Sequence, residues 1–425
     1  MKRLAQFLPS RNDYEGFRNN WRHDLIAGIT VGIVALPLAL AFGITTGAGA
    51  GAGLVTAIFA GLIAAIFGGS NYQVSGPTGA MTVVLVPIVS KYGVASLAPL
   101  GVIAGAIVLL MGLVKAGAVI NRVPWPVMEG FTLGIALVIA LQQLPTALAV
   151  KAIKGNGTVD SAWRTISHAW KLGLNWQALF IVAITLLIKF TYPKLALKFG
   201  IKIHIPASFL AILVSTLLVV ILNLDTPTVG NLPKNIFQVT ALSFHGLGIN
   251  DLLISAIEIA LLAAIESLLS ARVADQMAHI HEEALRYKPN RELVGQGFAS
   301  LLASLAGGMP ATGAIARTGV NIRSGAKSRF SAIVHALFLL AVVLVLAPII
   351  SRIPTAALAG VLLGTSYRIA SPANLKEVLR TTKFDAGILL LTAAIVLFVD
   401  LIWGIAIGTV IYYLFKKLAV KQLPK

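Results

Sequence analysis

The chain has 425 residues, of which 57% are hydrophobic and only 12% charged, about half the charged share of an average soluble domain. So little polar surface cannot cover the chain in water, which places it in a bilayer and excludes a soluble enzyme, a nucleic-acid-binding domain and a disordered scaffold. The formal charge of +18 arises in short segments between apolar runs, where Lys and Arg set membrane topology, and the absence of Cys excludes disulfides, thiolate metal sites and cysteine nucleophiles.

Residues 1–24 are polar, without the apolar core and small-residue cleavage site of a signal peptide, and are expected to remain as a cytoplasmic segment. Apolar runs near the ~20 residues that cross a bilayer follow at 25–43, 51–67, 97–120, 127–144, 178–192 and 205–222. After an extracellular loop at 224–250 come 252–271, 293–305, 330–350, 356–367, 386–399 and 401–415, then a cytoplasmic tail at 417–425. Two shorter runs open at helix breakers, 76–90 and 312–324, and bring the total to fourteen. The expected fold is therefore an all-α polytopic membrane protein. An even number of spans puts both termini on one side, and most of the 34 Lys and Arg then fall on that side, which identifies it as the cytoplasm of a cell bounded by a plasma (inner) membrane.

The two breaker segments repeat one another. Gly68-Gly69 precede Ser75-Gly-Pro-Thr-Gly-Ala-Met81, and Gly307-Gly308 precede Pro310-Ala-Thr-Gly-Ala-Ile315. They are the third and tenth spans, the same position in each group of seven, and because seven is odd the second group runs upside-down. The expectation is a 7+7 inverted repeat, 25–223 and 251–416, with half-helices at spans 3 and 10 meeting near the midplane. A helix that starts there leaves about four N–H groups without partners and roughly +0.5 charge. Two such starts facing one another favour an anion. Thr78 and Thr312 are placed to cap these helices or touch the ligand, and Arg317, within the tenth span, either attracts the anion or pairs with an acid across the bundle.

Four acids lie within or at the edge of spans: Glu129, Glu258, Glu266 and Asp400. Burial disfavours a charged carboxylate, so an intramembrane Glu can load and release a proton. Glu266 sits deepest, with Ser267 beside it and Ser270 one turn on, and is the expected coupling site. Glu258 shares part of that face or meets a neighbouring domain, Asp400 reads as an interfacial acid, and Glu129 suits a helix start. The seven His form no metal-ligand pattern, with His279 and His281 in a charged loop, and no nucleotide-binding loop or catalytic constellation is present.

These residues resemble the SulP (sulfate permease) family of anion transporters. The resemblance rests on Ala35-Leu-Pro-Leu-Ala-Leu-Ala-Phe-Gly43, Ser75-Gly-Pro-Thr-Gly-Ala80, Glu266-Ser-Leu-Leu-Ser270 and Ala274-Asp275. It continues through Pro289-Asn-Arg-Glu-Leu-Val-Gly-Gln-Gly297, Gly307-Gly-Met-Pro-Ala-Thr-Gly-Ala-Ile-Ala-Arg-Thr318 and Asn321-Ile-Arg-Ser-Gly-Ala326. It implies core and gate domains with an elevator motion, a homodimer, and an architecture shared with nucleobase–proton symporters. It also implies an anion site at Phe42, Thr78, Gly79, Ala80, Gly313, Ala314, Ile315, Ala316 and Arg317, with ion coupling at Glu266 and Ser270. Two departures are Leu38, where many members carry Gln, and the chain's end at Lys425, where members usually continue into a cytoplasmic STAS domain, expected here to be absent.

The reading is a secondary active transporter, not an enzyme, without metal, other cofactor or nucleic-acid partner. Its substrate is a small anion, bicarbonate or sulfate first and dicarboxylates such as fumarate next. The coupling ion is a proton, with sodium as the alternative. The competing readings are an uncoupled exchanger or channel and a sodium-coupled bicarbonate symporter.

Overall fold

Long apolar runs bounded by Gly, Pro and Asn become helices, because inside a bilayer a backbone satisfies its polar groups only by bonding to itself. The computed structural model describes residues 7–14, 17–120, 122–200, 205–232, 240–244, 246, 248–280, 282–283, 286–370 and 382–421. The long helices of the first half are α1 (Phe17–Thr45), α2 (Ala50–Phe67), α3 (Gly79–Tyr92), α4 (Leu97–Leu113), α5 (Trp125–Gln142), α6 (Trp176–Lys198) and α7 (Ala207–Ile221). The second half contributes α8 (Ile249–Met277), α9 (Pro289–Leu305), α10 (Ile315–Arg323), α11 (Phe330–Ile350), α12 (Thr355–Ala370), α13 (Lys383–Phe398) and α14 (Leu401–Lys421). Seven helical stretches among the described residues are long and apolar enough to cross a membrane, at 18–45, 50–67, 94–113, 125–147, 176–198, 249–277 and 330–350, while α3 and α7 are shorter apolar helices.

Each expected span has a helix at its position, with shifted ends. The run expected at 97–120 stops at Leu113, and 252–271 extends to Ile249–Met277. The two breaker segments do not start as helix. Ser75–Gly76 (β1) and Thr312–Gly313 (β2) pair antiparallel, Ser75 opposite Gly313 and Gly76 opposite Thr312, so an all-α description omits a two-residue ladder at the centre of the molecule.

Packing divides the helices into two groups. In one, α9 packs against α4 and α2, α11 against α1 and α2, and α8 against α4, α3, α10 and α9. In the other, α13 packs against α5 and α14, and α6 against α7 and α12, with α12 also on α5. Contacts between the groups include α3 with α5 and α12 with α1. Small residues permit the close approaches: a Cβ added at Gly105 would lie 2.8 Å from the Gly297 carbonyl oxygen, and one at Gly297 would lie 2.7 Å from that of Gly105. This is how membrane helices gain packing where no hydrophobic effect separates them from lipid.

Two charged groups are built into the packing. Lys189, near the end of the run 178–192, is buried in α6, and its Nζ donates to the Val361 carbonyl (2.7 Å), Thr365 Oγ1 (2.7 Å) and Ser208 Oγ (3.2 Å), tying α6 to α12 and to α7. The stretch before α1 is also docked. Asp13 accepts both terminal nitrogens of Arg291, at 2.9 and 2.8 Å, and lies 3.5 Å from Arg329, which stacks on Tyr14. Lys2, Arg3, Lys202, Lys234, Lys376, Arg380, Lys425 and His281 lie outside the described residues.

Candidate functional site

The site grows from the ladder. β1 leads through Pro77 and Thr78 into α3, and β2 leads through Ala314 into α10. Because the strands are antiparallel, the two helices leave in opposite directions with their starts facing across the ladder. Gly76 sits at φ +154°, where a side chain is strained, and a Cβ there would lie 2.6 Å from Arg317 Nη1. The first N–H groups of each helix, at Gly79 and Ala80 and at Ile315 to Arg317, have no acceptor within their own helix, and the two dipoles add.

Thr78 caps its helix as expected and also reaches an acid. It is the N-cap of α3, its Oγ1 accepting from Met81 N, and its hydroxyl donates to Glu266 Oε2 at 2.9 Å. Thr312 does not cap α10; it lies in β2, and Ala314 occupies the cap position without a side-chain bond. Thr312 Oγ1 instead donates to the same Glu266 oxygen at 2.8 Å. One carboxylate oxygen thus joins the two repeated Thr-Gly-Ala motifs. Ser267 Oγ accepts from Gly313 N at 3.0 Å and fixes α8 to β2.

Arg317 is buried at 2% exposure. Its Nη2 donates to the Pro77 carbonyl, while Nη1 has no partner. It forms no ion pair with Glu266 within 4 Å. Phe42 is buried beside Gly79, whose other neighbour is Ile139 of α5. Gly313 and Ala314 are buried, Ile315 and Glu266 are partly accessible and Ala316 is exposed, so the first turn of α10 opens onto solvent-accessible space.

Ser270 is hydrogen-bonded to α10. Its hydroxyl lies 3.3 Å from Thr318 Oγ1, which accepts from Val74 N at 3.1 Å, so Ser270 supports the strand next to Glu266. Glu258 is half-buried and faces the charge of Asp400, which caps α14 through Ile402 N at 2.8 Å; neither reaches the ladder.

Sequence reasoning missed Glu292. This buried acid near the start of α9 accepts from Gly69 N (2.8 Å), Ser70 N (3.0 Å), Gln73 Nε2 (2.8 Å) and Gln296 Nε2 (2.9 Å), and Gln296 Nε2 also donates to Ser75 Oγ at 2.6 Å. It holds the loop that delivers β1. The signal was present in the Arg-Glu-Leu-Val-Gly-Gln stretch, where Glu292 and Gln296 are one turn apart.

Comparison with known proteins places this geometry in context. A model of the sulfate permease family matches residues 21–392. The chain is 37% identical over 411 residues to a putative sulfate transporter, YvdB, of Bacillus subtilis, covering 95% of this chain and 75% of the relative. It is 31% identical over 403 residues to the bicarbonate transporter BicA of Synechocystis, covering 92% and 69%. The solved transmembrane domain of a cyanobacterium bicarbonate transporter BicA superposes with a TM-score of 0.83 at 30% identity, covering 92% of this chain and 98% of that one. SLC26A9, at 17% identity and a TM-score of 0.82, shares the fold.

Proposed function

We propose, from the premise that the chain belongs to the sulfate permease family, that it is a proton-coupled symporter of sulfate or bicarbonate, with dicarboxylates such as fumarate as the next class. It is a membrane anion transporter of that family, and its relatives are transporters rather than enzymes.

The observation that carries the finer reading is the single Glu266 oxygen held by Thr78 and Thr312. An anion attracted to the facing helix starts and to Arg317 sits close to that carboxylate. Two negative charges in a poorly solvated space repel by several kcal/mol at the effective dielectric of such sites. Neutralising Glu266 with a proton removes the repulsion, so anion and proton bind together more favourably than either alone. The two hydroxyls can then turn, one accepting from the protonated carboxyl, without moving the backbone.

In this reading fourteen spans form the 7+7 inverted repeat of residues 25–223 and 251–416. The α1–α4 and α8–α11 group is the mobile core and the α5–α7 and α12–α14 group the gate of an elevator. Both termini are cytoplasmic in the plasma (inner) membrane, and the unit is a homodimer. The site comprises Phe42, Thr78, Gly79, Ala80, Gly313, Ala314, Ile315, Ala316 and Arg317, with Glu266 the coupling residue and Ser270 positioning it through Thr318. The ladder joining Ser75 to Gly313 supports it, because it makes both half-helices one rigid binding element.

Uptake by purified protein in liposomes tests this, using labelled sulfate, bicarbonate, chloride and fumarate under an inward proton gradient, an inward sodium gradient, or neither. Accumulation of sulfate or bicarbonate with the proton gradient alone is expected. Accumulation with sodium alone makes Glu266 a sodium site, and passive flux in every condition rejects coupling.

A further inference from the structure

The stretch between α5 and α6 carries Lys151, Lys154, Arg164 and Lys171 and reads in sequence as a loop, yet Thr158–Leu172 is a helix with three distinct faces. At about 100° per residue, Ala162, Thr165 and Ala169 form one sector, buried against α5, α13 and the turn Leu144–Ala147. Val159, Trp163, Ile166 and Trp170 form a second, spaced four, three and four residues apart, apolar and exposed, with Trp163 at 69% and Trp170 at 75%. Asp160, Arg164, His168 and Lys171 lie on the polar side opposite, where Arg164 pairs with Asp160 at 2.9 Å.

We propose that this helix is a membrane-interface anchor, its Val159–Trp163–Ile166–Trp170 stripe sunk to the boundary between headgroups and acyl chains and its polar side in water. A helix with one small-residue face, one large apolar face and one charged face is suited to three media at once. Protein, apolar medium and water meet only where a membrane protein leaves the bilayer. Fifteen residues rise about 22 Å, too short to cross, and the charged face forbids it. Trp prefers that depth, and an amphipathic helix with Trp on its apolar side and basic residues on its polar side is the form that lies in it.

The occupant is lipid rather than a second copy of the chain. The stripe runs on to Trp176, 72% exposed at the start of α6, and then to Phe180 and Leu187 on the exposed side of that span. Only residues 173–175 separate the stripe's helix from this span, which is long and apolar enough to cross a membrane, so the chain itself ties the stripe to a lipid-facing helix. Four side chains are also far fewer than the about 20–30 residues a side of a stable protein interface. The anchor sets the depth of the α5–α13 packing, whichever anion the protein carries.

The chain has no Cys, so single cysteines can be introduced at each position from 159 to 171 in the full-length protein, spin-labelled, and measured in liposomes. Collision with oxygen, which partitions into lipid, is compared with collision with a water-soluble nickel chelate. The oxygen-to-nickel ratio should rise at 159, 163, 166 and 170, fall at 160, 164, 168 and 171, and oscillate with the helical period. Nickel access at Trp163→Cys and Trp170→Cys equal to that at Arg164→Cys would overturn the proposal. Exclusion of both reagents with spin–spin broadening would replace lipid with a second copy, also overturning it. The exposed positions carry no packing, so the decisive variants test the surface and not the fold.

Discussion

Replacing Glu266 with Gln isolates the charge from the shape. Both hydroxyls reach one oxygen, from Thr78 at 2.9 Å and Thr312 at 2.8 Å, and the Gln side chain retains one such oxygen. Two hydrogen bonds to a charged group, about 1.5–3 kcal/mol each, become two neutral bonds of about 0.5–1.5 each, a loss of roughly 2–3 kcal/mol in all. The desolvation cost of the charge disappears at the same time and offsets part of that loss. The variant is therefore expected to fold with a nearly unchanged Tm. What it loses is drive. Each pH unit is worth about 1.36 kcal/mol, or tenfold, per proton. Two units across a liposome clamped at zero potential sustain roughly 100-fold accumulation of an anion carried with one proton. With Gln at position 266 the ratio should fall to one, while counterflow exchange of labelled anion continues. An E266Q protein that still accumulates anion with the proton gradient refutes the assignment of coupling to this residue.

Three further outcomes are expected. Arg317→Met keeps the bulk of the buried side chain but removes its charge, and should weaken anion binding roughly 30-fold or more, about 2 kcal/mol, read as KM in counterflow; an unchanged KM removes Arg317 from the site. Gly76→Ala places a methyl 2.6 Å from Arg317 Nη1 on a backbone at φ +154°, costing about 1–3 kcal/mol, and should lower both Tm and uptake, whereas full activity would contradict the ladder geometry. Asp13→Asn tests the docked segment before α1. Burial opposes ionisation of Asp13, but hydrogen bonds from Arg291 and Ser10 N and the charge of Arg329 outweigh it and hold the carboxyl well below its usual range. That stabilisation is full above the unfolded carboxyl range and is lost only as pH falls through the depressed folded value. Wild type should melt above the variant, by about 1–3 kcal/mol of stability, from neutral pH down to about pH 5, the gap closing only in stronger acid; a gap closing near neutral pH would point to another group.

Much of the architecture was legible because a bilayer leaves a chain few options. Apolar length gave most of the long helices their place, and Gly-Pro-Thr-Gly-Ala marked where α3 begins. The pairing of Thr78 and Thr312 through Glu266 was not legible, since no local pattern records which residues of two distant segments share one oxygen. The likeness of Thr312 to Thr78 leaves both capping and ligand contact open, and the ladder takes Thr312 out of the cap position. Ser270 lies one turn from Glu266 along α8, yet its hydroxyl is hydrogen-bonded to Thr318. Glu292 was hidden for the opposite reason. It sits near a helix start, where an acid is ordinary, and only the folded loop shows four donors converging on it. Lys189 looked like a topology signal because sequence counts a charge without knowing that three acceptors have been built around it. The helix Thr158–Leu172 is hidden in the sequence because its charged positions interrupt every apolar run, and its stripe emerges only at the helical period.

The two-residue ladder has a further consequence for how the protein is made. Ser75 emerges early from the ribosome and Gly313 late, with the seven helices α3 to α9 between them. Until the second strand arrives, the start of α3 has no facing helix, and Thr78 has neither the acid nor the partner threonine it meets in the finished protein. The proposed anion site is consequently absent from every partial chain that stops short of β2. With that site closed by the late-synthesised half, the chain offers no such site to ions while it is still being threaded into the membrane.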